Sequence, residues 1–155
     1  MPGTTTRNLS ALLLLATRAV SREAQLRLAA AGYADLRPAQ EYSLQFLATS
    51  GGAAGAELAR HLGTTKQAAA QQLDYLEACG YLIRSPAERD GRARIAHLTD
   101  RGWACVRAAA AVWQEIERDA VNLLGADALT ATRHALDHLA TEPLGHPGRT
   151  PETHD

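Results

Sequence analysis

The sequence predicts a mainly α protein with one small β-wing, of two or three strands, set between its helices. Three observations carry that prediction. Ala, Leu, Glu, Gln and Arg dominate the middle and end of the 155-residue chain, and all are strong helix formers. Apolar residues recur at three- and four-residue spacing over most of its length. That period breaks between Tyr81 and Leu98, where two short strand-like runs flank an Asp-Gly turn signal.

The elements follow in order. Residues 1–6 form a polar leader, expected to be flexible. From Arg7 to about Ala31, Leu9, Leu12, Leu13, Ala16, Val20, Leu26 and Leu28 mark one helix, and Gly32 stops it. At 1.5 Å per residue that helix spans roughly 37 Å. Pro38 suits the first position of a second helix, running to about Thr49. Arg37 precedes it where a capping hydroxyl is usual. Ser50, Gly51 and Gly52 break the pattern. A short helix from about Gly55 to Leu62 ends at Gly63, and Thr64 and Thr65 offer a hydroxyl cap for the next, Lys66 to Cys79.

After Gly80, Tyr81, Leu82 and Ile83 read as a strand, and Ser85 to Arg92 as a polar turn region. Arg94 to Leu98 reads as the returning strand. Thr99 caps a long helix from about Asp100 to Leu124. Gly125 closes it, and a last helix covers about Asp127 to Ala140. Residues 142–155 hold Pro143, Pro147 and Pro151 and are expected to be a disordered tail. Residues 7–141 therefore read as a single unit, with terminal helices at about 7–31 and 100–140 around a middle section at about 38–99.

Composition excludes several classes. Apolar content is 46%, enough for a core, and the formal net charge is -1. Positive charge is concentrated locally: between Arg84 and Arg107 six Arg stand against three acids, an excess of three. A small basic footprint on a neutral body is sufficient for binding nucleic acid. Cys79 and Cys105 have no partners at metal-ligand spacing and make no secreted disulfide framework. The apolar run Leu12 to Ala16 is too short to span a membrane. The expected location is the cytoplasm. No Gly-rich phosphate loop, nucleophile elbow or metal cluster points to an enzyme, and no metal or other cofactor is expected.

The helix pair Glu57–Leu62 and Lys66–Cys79 has helix-turn-helix spacing. Leu58, Ala59 and Leu62 can pack on Ala69, Leu73 and Leu76, with Gly63 at the turn. The second helix then presents Thr65, Lys66, Gln67, Ala68, Ala70 and Gln71, at the end that enters a DNA major groove. Gln67 and Gln71 share a face and suit adenine edges, Ala68 and Ala70 permit close approach, and Thr65 and Lys66 suit phosphates. The competing reading is an ordinary solvated helix face. Around the turn stand Arg84, Arg89, Arg92 and Arg94. Arg92 suits an A·T-rich minor groove, and Asp90 is placed to orient it. A merely solvated charged loop is the alternative there.

The stretches ELARHLGTTKQAAAQQLDYLEACGYLIR and DGRARIAHLTDRG carry a resemblance. Leu58-Ala59, Leu62-Gly63, Lys66, Asp74, Leu76-Glu77, Gly80, Asp90, Arg92, Leu98-Thr99 and Gly102 resemble the pattern of the MarR family of winged helix-turn-helix regulators. The resemblance covers about residues 7–141. It implies a sequence-specific double-stranded DNA-binding transcriptional regulator, expected to be a repressor. It also implies a homodimer on a palindromic operator, with DNA affinity modulated by a small ligand. Gln71 departs from the Arg many members carry, and the Ala68–Ala70 run leaves a sparse reading face.

The terminal helices support a dimer independently, since they carry more apolar surface than one small domain covers. The candidate interface residues are Leu9, Leu12, Leu13, Trp113, Ile116, Leu123, Leu136 and Leu139. Tyr33, Arg37, Tyr42 and Trp103 are candidates for a cleft taking an aromatic or anionic effector. Two other functions stay open: a thiol-based redox regulator using Cys79 or Cys105, and a winged-helix protein-interaction module without DNA binding. His134 and His138, four apart, are a candidate metal pair set against ordinary surface histidines.

Overall fold

A computed structural model describes residues 8–87 and 94–142. The expected leader, most of the expected tail, and the turn residues Arg89, Asp90 and Arg92 lie outside the described residues. The described chain falls into two compact units, one up to Ile116 and one from Glu117 onward.

In the first unit, α1 (Leu9–Leu28) begins where Asn8 Oδ1 accepts the Ala11 N–H at 2.8 Å. One short π-type segment, Ala29–Tyr33, extends it. Pro38 opens α2 (Pro38–Ser50). Arg37 has no acceptor to cap the helix, but Gln40 Oε1 reaches back to take the Arg37 N–H at 2.9 Å. This is half of a capping box, supplied from the N3 side. The missing hydroxyl is thus compensated by a residue that the sequence reading did not use.

The two residues of β1 (Ala53–Ala54) follow, then α3 (Gly55–His61). Glu57 Oε2 accepts the Ala54 N–H at 2.8 Å and fixes that entry. Gly63 makes the turn at φ +61°, a left-handed conformation open to Gly. Thr65 Oγ1 then accepts the Ala68 N–H at 3.1 Å and caps α4 (Lys66–Ala78), worth about 1 kcal/mol for such a cap.

The wing is β2 (Leu82–Pro86) and β3 (Arg94–Leu98), antiparallel, with Arg84 opposite Ala96. β1 pairs on the other side of β3, so the sheet has three strands in the order β1-β3-β2. The strand β2 runs to Pro86, further than the apolar run Tyr81–Ile83 suggests, because the ladder with β3 carries it through polar residues.

One core joins these pieces. Leu44 and Leu47 of α2, Leu58 of α3, Leu73 and Leu76 of α4, and Tyr81 and Leu82 at the head of β2 are buried together. Ala24 and Leu28 of α1 and Cys105, Ala109 and Val112 of the long helix α5 (Asp100–Leu124) complete it. Each such large side chain contributes about 1.5–3 kcal/mol on burial. Ser43 is fully buried, and its Oγ donates to Gln72 Oε1 at 2.7 Å, tying α2 to α4.

The start of α5 is fastened to the wing root. Thr99 Oγ1 donates to the Gly80 carbonyl at 2.6 Å and accepts the Gly102 N–H at 3.2 Å. The Thr99 N–H donates to the Tyr81 carbonyl at 3.0 Å. Gly102 is buried here, and a Cβ on it would run into the Tyr81 carbonyl oxygen. The Leu-Thr-x-x-Gly pattern thus has a local packing cause.

In the second unit, the end of α5 is followed by α6 (Ala126–Thr141), none of whose residues is buried. Arg133 Nη2 pairs with Glu117 Oε1 at 3.2 Å, and Leu123 is 83% exposed.

Candidate nucleic-acid interface

The two faces of α4 separate cleanly. Ala69, Leu73 and Leu76 point into the core, with Gln72 half-buried against Ser43. Thr65, Lys66, Gln67, Ala70 and Gln71 are exposed on the other side, and Ala68 is half-buried. The outward face therefore pairs two amide side chains with small neighbours and a cation at its N-terminal end. Such a face can reach base edges, while the helix N-terminus and Lys66 suit phosphate.

Arg84, a candidate DNA contact from its place near the turn, is held by acids of the chain itself. Its Nη2 lies 2.7 Å from Asp74 Oδ1, its Nε lies 2.9 Å from Glu77 Oε2, and its backbone N–H donates to Glu77 Oε1. Both acids belong to α4. The guanidinium is therefore a strut between the wing base and the reading helix, neutralised from within. The hydrogen bond from Arg84 holds the Glu77 carboxyl below its ordinary range, and the same bond raises the Arg84 pKa. Arg94 Nη2 donates to the Arg84 carbonyl at 3.1 Å, and Arg94 is itself exposed at the head of β3.

Tyr33, Arg37, Tyr42 and Trp103 do not line the cavity between α2 and α5. The Tyr33 ring lies 6.3 Å from that of Tyr81, and Arg37 lies 5.9 Å over the Tyr75 ring. Tyr42 and Trp103 are 57% and 40% exposed. That cavity, of about 80 Å³, is lined by Glu41, Leu44, Cys105, Val106, Ala109 and Trp113 among others. Trp113 Nε1 donates to Glu41 Oε1 there. A linear reading does not reveal this cavity, because its walls come from two helices far apart in sequence.

Trp113 and Ile116, expected at a subunit interface, pack against the chain's own core. Leu9 and Leu12 of α1 are exposed and Leu13 is half-buried. In the second unit Leu123 and Leu136 are exposed and Leu139 is half-buried. Leu14 and Leu15, 52% and 43% exposed, extend the α1 surface beyond the residues singled out from sequence.

Cys105 is buried, and burial pushes its thiol up to about 12, so it stays protonated at neutral pH. Cys79 is half-buried at the end of α4. His134 and His138 are exposed on α6. Among the described residues no group of three or more His, Cys, Asp or Glu side chains is arranged to hold a metal, and no helix is long and apolar enough to cross a membrane.

Comparison with known proteins agrees with this geometry. Residues 34–93 match the sequence model of the MarR family. The reduced form of MarR from E. coli superimposes with a TM-score of 0.75 at 22% identity, over 86% of this chain and 96% of that one. A mutant of E. coli MarR complexed with operator DNA gives 0.72 at 22% identity, over 84% and 92%. A mutant of S. aureus MepR bound to an oligodeoxyribonucleotide gives 0.61 at 20% identity, over 87% and 97%. At these identities the structural likeness establishes the winged-helix fold. No curated protein sequence matches the chain.

Proposed function

We propose that the chain is a MarR-family winged-helix protein, a reading supported by the family match over residues 34–93, and that it is a DNA-binding transcriptional regulator. The observation that carries this is the division of α4. Its buried side is consumed by the core, whereas Thr65, Lys66, Gln67, Ala70 and Gln71 stand clear beside a two-stranded ribbon. Support comes from two structural neighbours that hold operator DNA or an oligodeoxyribonucleotide.

In this reading α4 lies in a major groove, with Gln67 and Gln71 on base edges and Ala68 and Ala70 beside thymine methyls. Arg92, Arg89 and Arg94 serve the flanking minor groove and backbone, with Asp90 orienting Arg92. Two copies bind a palindromic operator as a homodimer, covering Leu9, Leu12, Leu14 and Leu15 of α1 together with Leu123 and Leu136. The protein works in the cytoplasm as a repressor, and a small effector alters its affinity. The Glu41–Trp113 cavity is the receptor for that effector. Its one carboxylate disfavours an anion, so the anionic effector suggested by Arg37 gives way to a neutral or cationic one.

The test is retention on duplex DNA against salt, followed by selection of bound sequences from a random library. Binding should weaken steeply with salt as counterions are released. A protein indifferent to duplex DNA at low ionic strength would leave the protein-interaction reading in its place.

A further inference from the structure

Behind the reading helix lies a polar knot built from four separate parts of the first unit. Asp35 sits in the short link between α1 and α2, where the Leu36 N–H donates to the Tyr33 carbonyl at 3.1 Å. The Tyr81 phenol, whose residue is fully buried, donates to Asp35 Oδ1 at 2.6 Å. Tyr75 of α4 donates its phenol to the Asp35 backbone carbonyl at 2.7 Å. Arg101, in the first turn of α5, places Nη2 3.1 Å from Asp35 Oδ2 and 3.2 Å from the Tyr81 oxygen, with its guanidinium 4.5 Å over the Tyr81 ring. One residue of the link thus receives a bond from α4, a bond from the residue that leads into β2, and an ion pair from α5.

We propose that Asp35 is a positioning residue for DNA reading. Its carboxylate and its carbonyl together fix how α4 is carried on the α1–α2 link and the root of α5. The argument is geometric. The apolar contacts of Leu73, Leu76 and Ala69 are not directional, and the Ser43–Gln72 and Arg84–Glu77 bonds tie α4 to α2 and the wing base but not to the α1–α2 link. A phenol bonded at 2.7 Å to a backbone carbonyl is directional and supplies that tie. Buried, fully partnered polar groups specify one arrangement more than they add stability. The Tyr81 hydroxyl meets that description, and the half-buried Asp35 carboxylate is the acceptor that satisfies it. In a two-headed reader, the roll of each α4 decides which spacing of half-sites is accepted. Asp35 therefore acts on spacing selectivity without touching DNA.

This inference rests on the DNA-binding reading, so the experiment has two arms. The full-length protein and its Asp35→Asn, Tyr81→Phe and Tyr75→Phe variants are compared on duplexes whose half-site separation varies by single base pairs, and on a random duplex. The expected result is a drop of about 10-fold on the preferred spacing. Neighbouring spacings should lose less, and random-duplex affinity should stay within about 2-fold. In the second arm, hydrogen exchange is followed without DNA. Amides of residues 66–78 should exchange faster in the variants, with those of the β2–β3 ladder unchanged. Equal losses at every spacing, or exchange accelerated uniformly, would reduce the knot to plain fold stability and overturn the proposal. Unchanged binding and exchange would overturn it as well. Should the parent protein bind no duplex at all, the DNA-binding reading fails, and the exchange arm alone decides whether the knot positions α4.

Discussion

Arg84 and Glu77 meet twice, once through the side chain and once through the backbone. The guanidinium Nε lies 2.9 Å from Glu77 Oε2, and the Arg84 N–H donates 3.1 Å to Oε1 of the same carboxylate. A strand residue and a helix residue are thereby held in fixed register. The wing base and the reading helix cannot tilt independently while that carboxylate is ionised.

A double-mutant cycle on Glu77→Gln and Arg84→Met should therefore give a coupling of about 0.5–1 kcal/mol in urea unfolding, at the upper end for a partly exposed pair. Additive single effects would mean that the contact is not energetically real.

Acid should weaken the fold through the same carboxylate and through Asp35. Glu77 is held below its ordinary value of 4.5, chiefly by its hydrogen bond with Arg84, and Asp35 below 3.8, chiefly by the bond from the Tyr81 phenol. A depressed folded pKa gives stability that is complete above the unfolded value and is lost as pH falls through the folded one. The urea midpoint should be flat near neutrality and decline on acidification below the two ordinary values. Glu77→Gln should make that decline shallower, and an identical slope for the variant would count against the assignment.

Gly102→Ala separates propensity from packing. Ala is the better helix former by about 1 kcal/mol, so an exposed site would gain stability. Here the added methyl meets the Tyr81 carbonyl, a backbone atom with no rotamer to yield. The expected outcome is a loss of about 1–3 kcal/mol in denaturant unfolding, or failure to fold.

On DNA, Gln67→Ala should cost about 1–3 kcal/mol at the selected operator and much less on random duplex. Lys66→Ala should weaken both alike and lower the salt slope by about 1. Equal losses on both duplexes for Gln67→Ala would remove it from base reading.

Leu123→Asp and Leu12→Asp should shift the protein toward monomer in light scattering with little change in helix content. Both side chains are exposed, at 83% and 47%. Trp113→Asp is a poorer probe, because Trp113 donates to Glu41 and packs on its own core, so its loss damages the protomer first. A normal dimer in both Leu variants would place the interface elsewhere.

Much of the fold was legible in the sequence because local rules govern it. Gly63, Thr65 and Pro38 stand at the turn, cap and helix start their chemistry favours, and the strand Arg94–Leu98 appears with its expected bounds. What escaped was non-local. Ala53 and Ala54 carry no strand signal; they form β1 because β3 offers them an edge. Arg84 resembled its basic neighbours, since nothing in a linear reading shows Asp74 and Glu77, ten and seven residues earlier in sequence, facing it. Asp35 gave no cue at all, because its partners lie 40 to 66 residues away. On α4 the exposed residues were legible because helical period alone divides its two faces.

The seam at Thr99 has a consequence for how this chain tolerates change in length. A single residue joins the last residue of β3 to the first of α5, and both its amide and its hydroxyl are taken up in that join. One inserted residue there would turn the whole long helix by about 100° about its axis. Cys105, Ala109 and Val112 would swing off the core. Insertions and deletions are therefore barred at this seam.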